Sequence, residues 1–247
     1  MSNLSRTPLS RLRTFGAVLP AWALASLLVS SCSAPPPPPE DELFREASLA
    51  LEDESYKAAI ESYKKLLEEY PFSDKAEIAS LNIAYGHYLT GDYIEAIGAF
   101  NDFERLYPVS PLLPFVSYTI GMCWLDEAKS GDRDPSSSRE ALRQFQKVES
   151  EYPRTLYADL ARYRQQQARE NLSSHEIAIG DYYRERERFA AAAGRYSTVI
   201  EEYPSTENAQ RATERLAGIQ TGIVEEKAKK AAKAAPPTGE VQPTGGS

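Results

Sequence analysis

The sequence of 247 residues predicts an all-α solenoid of about five helical hairpins. The dipeptide Tyr-Pro recurs four times, with its prolines at positions 71, 108, 153 and 204. An alanine lies twelve residues before each proline, an aromatic residue eight before it and an apolar residue five before it. Steps of four and three place these residues on one face of an α-helix, which the proline then ends.

The repeated face has the composition of a helix-packing surface. Its members, from alanine to apolar residue, are Ala59, Tyr63 and Leu66; Ala96, Phe100 and Phe103; Ala141, Phe145 and Val148; Ala192, Tyr196 and Val199. The alanine allows a neighbouring helix to approach closely, and the aromatic ring fills the space behind it. We therefore expect these side chains to form the core and to perform no chemistry.

A second helix precedes most of these segments. Residues 120–124 read IGMCW and residues 179–183 read IGDYY, while residues 83–87 read IAYGH, with histidine in place of the aromatic residue. The order apolar, small, two variable residues, aromatic resembles the first helix of the tetratricopeptide repeat, which has a period of 34 residues. The predicted repeats span roughly 41–71, 74–108, 113–153, 156–204 and, incompletely, 205–220.

Two departures from the period are informative. The third repeat has eight extra residues between its helices, which we expect to form a loop reading SGDRDPSS. Residues 156–188 contain no proline and a single glycine. This stretch therefore leaves two alternatives open, one long helix or two abutting helices.

The amino-terminal end has the pattern of an export signal. Residues 1–31 contain three arginines and no acid, followed by a mostly apolar run, as in a secretory signal peptide. The stretch Val29-Ser30-Ser31-Cys32 resembles a bacterial lipobox, whose cysteine carries a covalent lipid. We expect Cys32 to be lipidated and to anchor the chain to a membrane. The alternative is an ordinary signal peptide with an incidental cysteine.

Proline-rich segments flank the repeats on both sides. Residues 32–40 contain five consecutive prolines and are predicted to form a semi-rigid tether, in which residues 33–40 would span about 25 Å as polyproline II. Residues 227–247 read as a fraying lysine/alanine helix followed by a Pro/Gly-rich tail that cannot bury a core. We therefore expect a repeat domain over 41–220 and a disordered tail over 221–247.

Charge is unevenly distributed along the chain. Three of the 28 basic residues lie in the predicted leader, so the remaining chain carries 25 basic and 36 acidic residues. This balance disfavours nucleic-acid binding, which requires a basic face. Residues 40–110 have a net charge of −10, whereas residues 154–195, with eight arginines, have +2. The charges indicate two different partner surfaces, or, as the alternative, solvated helix faces.

Three stretches of sequence indicate which family of tetratricopeptide proteins the chain resembles. They are YPFS at 70–73, DRDP at 132–135 and HEIAIGDYYRERERF at 175–189. With the lipobox, they resemble the BamD family of outer-membrane assembly lipoproteins over residues 42–219. The stretch VSPLLPFVS at 109–117 is more apolar and richer in proline than that family leads us to expect. We therefore do not assign to this chain the contacts that the family makes through this loop.

The resemblance implies a non-enzymatic lipoprotein subunit of the outer-membrane β-barrel assembly (BAM) complex. Such a subunit lies at the periplasmic face of the outer membrane of a Gram-negative bacterium. The implied partners are the periplasmic domains of the barrel-forming subunit BamA, the other BAM lipoproteins and the C-terminal segments of unfolded outer-membrane proteins.

Arginines are the candidates for contact with BamA. The resemblance places Arg195 on the surface that faces this subunit, and a guanidinium binds a carboxylate with more geometric specificity than an ammonium group does. Arg184 and Arg188 are weaker candidates, because arginines interleaved with glutamates commonly form a salt-bridged solvent face.

The acidic end of the repeat domain supplies a second set of candidates. Asn82, Tyr85 and Tyr88 would line a groove if the leading helix of the second repeat presents them there. Tyrosines beside an amide offer apolar area and hydrogen bonds to an extended peptide. We expect these residues to contact substrate, and the alternative is that they pack between helices.

The sequence shows no motif of an enzyme or of a metal site. His87 and His175 are far apart, no glycine-rich phosphate loop is present, and the cysteines and histidines lack metal-ligand spacing. We expect no catalytic residue and no cofactor other than the lipid on Cys32. The main alternative function is a periplasmic tetratricopeptide adaptor lipoprotein of cell-wall or envelope assembly, from which the stretches at 132–135 and 175–189 distinguish the chain.

Overall fold

The computed structural model describes residues 37–128 and 134–234 of the chain. Over these ranges the backbone forms α-helices joined by short turns and contains no strand, which confirms the all-α prediction. The helices are α1 (Glu40–Glu52), α2 (Tyr56–Glu69), α3 (Ala76–Thr90), α4 (Tyr93–Leu106), α5 (Leu113–Glu127), α6 (Ser136–Glu151), α7 (Leu156–Glu185), α8 (Phe189–Glu202), α9 (Glu207–Gly218) and α10 (Gln220–Ala234). None of them is both long and apolar enough to cross a membrane.

The helices stack in chain order. Each helix from α1 to α8 packs on the next, α7 also contacts α5 and α9, and α8 also contacts α10. The buried side chains form four successive clusters, from α1–α3 to α7–α10. The repeated alanines and aromatic residues are all fully buried in these clusters. This is the arrangement of a solenoid, in which each hairpin completes its core against its neighbours.

Several helical glycines leave no room for a side chain, because the facing helix packs directly against them. A Cβ atom on Gly121 of α5 would lie 2.6 Å from a ring carbon of Phe145 on α6, and one on Gly86 of α3 would lie 2.7 Å from Ile60 on α2. Gly180 of α7 has the same relation to the ring of Tyr196 on α8. In each pair the glycine therefore determines how closely the helix that carries the large side chain can approach.

Helix α7 resolves the alternatives left open by the sequence, because it is one continuous helix of 30 residues. Its length is about 45 Å at 1.5 Å per residue. Tyr157, Ala161 and Ala168 of its first half pack in the cluster with α5 and α6, whereas Ile177 packs with α8 and α9. One helix thus serves two consecutive units of the solenoid.

The turns after α2 and α4 have the same hydrogen bonds. The amide nitrogens of Ser73 and Ser110 donate to the carbonyl oxygens of Tyr70 and Tyr107, each over 3.1 Å. The Ser73 hydroxyl then donates to Glu40 Oε1 over 2.7 Å, and the Ser110 hydroxyl donates to Glu77 Oε1 over 2.5 Å. These bonds hold the beginnings of α1, α3 and α5 along one edge, which we call the Tyr-Pro edge.

The predicted disorder from residue 221 onward is wrong for residues 221–234. They belong to α10, where a Cβ on Gly222 would lie 2.5 Å from the ring of Phe189 and the Glu226 carboxylate accepts a hydrogen bond of 2.9 Å from the Ala190 amide. The helix forms because it has this long-range partner, which composition does not show. The predicted signal peptide, Cys32, most of the tether and residues 235–247 lie outside the described residues, as do positions 130–133 of the predicted loop. The last two residues of that loop, Ser136 and Ser137, instead begin α6.

The close contact at Gly121 yields a stability test. We expect Gly121→Ala to lower the free energy of unfolding by about 1–3 kcal/mol, because the added methyl must displace a packed ring. Gly98→Ala is the matched control, since a Cβ there meets nothing within 4 Å. On an exposed helix that change should stabilise by about 0.5–1 kcal/mol. Urea denaturation followed by circular dichroism measures both, and equal effects of the two substitutions would contradict the packing account.

Candidate functional site

Aromatic rings form a continuous half-buried surface across α3, α5 and α7. Tyr85 stacks on Tyr88 with ring centroids 6.0 Å apart, and its ring meets Phe115 of α5 edge-on at 5.9 Å. Phe115 lies 5.8 Å from Tyr157 of α7, which lies 5.8 Å from Tyr118 of α5. We call these five side chains the aromatic surface. The first helices of three consecutive hairpins contribute to it.

Polar groups at the margin of the aromatic surface hold two of its phenols. The Tyr88 hydroxyl donates to Asp126 Oδ2 over 3.4 Å, and Arg164 Nε donates to the Tyr118 hydroxyl oxygen over 3.5 Å. Burial, reinforced by the charge of Asp126, raises the pKa of Tyr88 above its ordinary value. The phenol therefore stays protonated near neutral pH. The surface thus combines apolar area with a tyrosine hydroxyl bonded to a carboxylate and with a guanidinium.

Asn82 takes part in the contact between α2 and α3. Its amide nitrogen donates to the Tyr63 hydroxyl oxygen over 2.8 Å, and that hydroxyl lies 3.0 Å from the Ser48 hydroxyl. The bond thus satisfies the hydroxyl group of Tyr63, whose side chain is fully buried. The structure therefore brings Tyr85 and Tyr88 together with α5 and α7, whereas Asn82 serves an interhelical contact. Substrate contact by the three residues stays a prediction.

The candidate arginines lie at the other end of α7 and on α8. Arg195 donates from Nη1 to Glu176 Oε2 over 2.9 Å, with 43% of its side chain exposed. Arg184 lies 3.4 Å from Asp181, and Arg188 is exposed at the turn before α8. Arg195 and Arg184 thus pair with different acids of α7. Their contact with a partner protein stays a prediction.

Asp181 joins three helices, a role that the sequence did not reveal. It accepts hydrogen bonds from the Tyr196 hydroxyl of α8 over 2.7 Å and from Arg215 Nη1 of α9 over 2.5 Å, in addition to its ion pair with Arg184. Burial and the bond to Asp181 raise the pKa of Tyr196 to about 12. In the sequence, only the position of Asp181 beside Gly180 hinted at this role. Its partners, Tyr196 and Arg215, lie 15 and 34 residues further along the chain.

A cavity of about 1040 Å³ lies between the start of α6 and the second half of α7. Pro135, Ser138, His175, Ile179 and Tyr182 are among the side chains that line it. Two stretches singled out in the sequence, 132–135 and 175–189, therefore contribute residues to one concave site. No group of three or more metal-ligating side chains is present among the residues that the structure describes.

Comparison with known proteins supplies the family. The model of the YfiO family, described as outer membrane lipoproteins, matches residues 37–234, which include all ten helices. The chain belongs to this family. The assignment agrees with the resemblance found in the sequence and favours an outer-membrane factor over a cell-wall adaptor.

Two relatives illustrate the match. The outer membrane protein assembly factor BamD of Caulobacter vibrioides is 30% identical over 174 residues, which are 70% of this chain and 57% of the relative. BamD of Vibrio cholerae is 29% identical over 205 residues, covering 77% of this chain and 85% of the relative. Among solved structures, a tetratricopeptide protein of Thermus thermophilus covers 72% of this chain and 100% of its own at 16% identity and a TM-score of 0.40.

The network around Asp181 predicts a large effect of one substitution. We expect Asp181→Asn to lower the free energy of unfolding by about 1–3 kcal/mol, because two arginines and a buried phenol lose a charged partner. Asp159→Asn removes an ion pair with Arg162 in which both side chains are more than half exposed, and should change stability by no more than about 0.5 kcal/mol. Denaturant titration measures both. A loss no greater at Asp181 than at Asp159 would contradict the network.

Proposed function

We propose that the protein is a non-enzymatic, lipid-anchored subunit of the BAM complex that assists the assembly of outer-membrane proteins. In this role it binds unfolded outer-membrane proteins on the aromatic surface and BamA through the basic end of α7 and α8. Cys32 carries the lipid and holds the chain at the periplasmic face of the outer membrane, beside the other BAM lipoproteins. Membership of the YfiO family and the names of the relatives support this proposal.

The observation that carries the proposal is the continuity of the aromatic surface. Tyr85, Phe115 and Tyr157 come from three different helices, so a ligand that covers them spans three hairpins. An extended peptide is the ligand of this shape, since it can place successive side chains against successive rings. Aromatic side chains of the peptide would gain offset or edge-to-face contacts.

The margin of the surface matches a peptide that ends in a carboxylate. Arg164 is held at the surface by Tyr118 and by a 3.0 Å bond to Gln167, and the Tyr118 bond raises its pKa. A guanidinium held in place in this way can donate hydrogen bonds to a carboxylate without first losing side-chain freedom. We therefore assign the C-terminal segments of unfolded outer-membrane proteins as the ligand class.

Peptide binding to the aromatic surface can be measured directly. A fluorescent peptide with the sequence of an outer-membrane protein's C-terminal strand should bind the purified protein, with an increase in fluorescence anisotropy. We expect Tyr85→Ala with Phe115→Ala to weaken this binding about tenfold or more, because two adjacent rings are removed.

Ile94→Ala is the control for peptide binding. Ile94 lies on α4, which contributes no ring to the aromatic surface, and its side chain is 54% exposed. This substitution should leave the affinity unchanged. Equal affinities of the control and the double variant, with both folded by circular dichroism, would overturn the assignment of the aromatic surface.

Two substitutions distinguish a role of Arg195 in binding BamA from its role in the internal ion pair with Glu176. Arg195→Ala should weaken BamA binding about tenfold, because a carboxylate of the partner loses a forked guanidinium. Glu176→Gln removes the internal partner and keeps the arginine. Binding by Glu176→Gln should therefore be unchanged or tighter. Titration of BamA's periplasmic domains against both variants checks this, and equal weakening by both would mean that Arg195 acts only within the chain.

A further inference from the structure

Two apolar side chains protrude from the Tyr-Pro edge without being packed by the chain. Phe72 is 100% exposed and Val109 is 93% exposed. Each directly follows the proline of a Tyr-Pro turn, the first between α2 and α3 and the second between α4 and α5. In the corresponding turns before α7 and α9 these positions are Arg154 and Ser205. Phe72 and Val109, which we call the apolar tips, are therefore confined to the first two Tyr-Pro turns.

Hydrogen bonds show that both tips lie along one edge. The first turn is bonded to Glu40 at the beginning of α1, and the second turn is bonded to Glu77 at the beginning of α3, just after the first turn. Leu106, 56% exposed at the end of α4, adds apolar area beside the second tip. Phe72 and Val109 are thus successive projections on the same side of the solenoid.

The same edge is where the tether leaves the helical part. The Tyr70 hydroxyl donates to the carbonyl oxygen of Pro38 over 3.0 Å, so the chain just before α1 is fixed to the turn that carries Phe72. Lys75, in that turn, also bonds Glu40 over 3.0 Å and Asp41 over 2.7 Å. Pro38 is the sixth residue after Cys32, and these six steps of the chain can span at most about 20 Å.

We propose that the Tyr-Pro edge contacts the membrane surface, with Phe72 and Val109 inserted among the lipid headgroups. This inference rests on the proposed lipid anchor at Cys32, which keeps the edge within reach of the bilayer. Tethering turns a weak apolar contact into an intramolecular one, so two inserted side chains suffice to orient the molecule. A protein groove is less well matched by these tips, because they project singly from separate turns instead of forming one continuous concave face.

The charges beside the tips specify the kind of lipid surface. Asp41 and Asp74 are 89% and 91% exposed near the first turn. Carboxylates at this edge disfavour a strongly anionic surface and are compatible with zwitterionic headgroups. The geometry therefore assigns a phosphatidylethanolamine-rich or phosphatidylcholine surface as the contact.

Tryptophan fluorescence tests the proposed membrane contact in the mature lipidated protein, which begins at Cys32. Phe72→Trp, Val109→Trp and the control Ser205→Trp are each reconstituted into phosphatidylcholine–phosphatidylethanolamine vesicles that contain brominated lipid. Because all three sites follow a Tyr-Pro dipeptide, the control has the same indole in an equivalent turn. We expect quenching at positions 72 and 109 at least about threefold greater than at position 205, after subtraction of the signal of the unsubstituted protein, which contains Trp124.

Each outcome has a definite meaning. Greater quenching at positions 72 and 109, reduced when phosphatidylglycerol replaces the zwitterionic lipid, supports the contact. If the protein floats with the vesicles but positions 72 and 109 are quenched no more than position 205, the lipid anchor stands and the membrane contact is overturned. If the protein carries no lipid and does not float, both the proposed anchor and this inference are overturned.

Discussion

The fold depends on one recurring contact, the close approach of a glycine on the first helix of a hairpin to a large side chain on the second helix of the same or the preceding hairpin. Gly121 lies against Phe145, Gly180 against Tyr196 and Gly86 against Ile60. Because interiors are packed to near-crystalline density, the depth of each contact determines the angle and separation of its helix pair. The position of every partner surface follows from these contacts, since each surface is assembled from side chains of successive hairpins.

Helix α7 connects the two surfaces assigned to partners. Tyr157 near its beginning belongs to the aromatic surface, whereas Glu176 and Asp181 near its end hold Arg195 and the α8–α9 network. A continuous helix of 30 residues transmits orientation without an intervening hinge. A peptide bound at one end and a protein bound at the other would therefore be held at a fixed separation, which suits a scaffold that presents a substrate to a partner.

Sequence periodicity predicted the helices well because the Tyr-Pro ends and the alanine-aromatic face are local signals. The aromatic surface was predicted only in part, since Tyr85 and Tyr88 share one helix but Phe115, Tyr118 and Tyr157 join them through helix rotation, which spacing does not encode. Phe115 even belongs to the stretch 109–117, whose contacts were set aside because it departs from the family. The packing of helix α10 was missed because its partner, Phe189, lies 33 residues before Gly222. The internal bond of Arg195 to Glu176 was missed for the same reason, since the two residues lie on different helices.

In the proposed function, BamA is the necessary partner of this chain. The direct measurement is purification from the bacterial envelope through a tag at the C-terminus, followed by mass spectrometry of the proteins that co-purify in mild detergent. We expect stoichiometric recovery of BamA with the other BAM lipoproteins. Recovery of a cell-wall synthase in similar amounts, with no BamA, would contradict it.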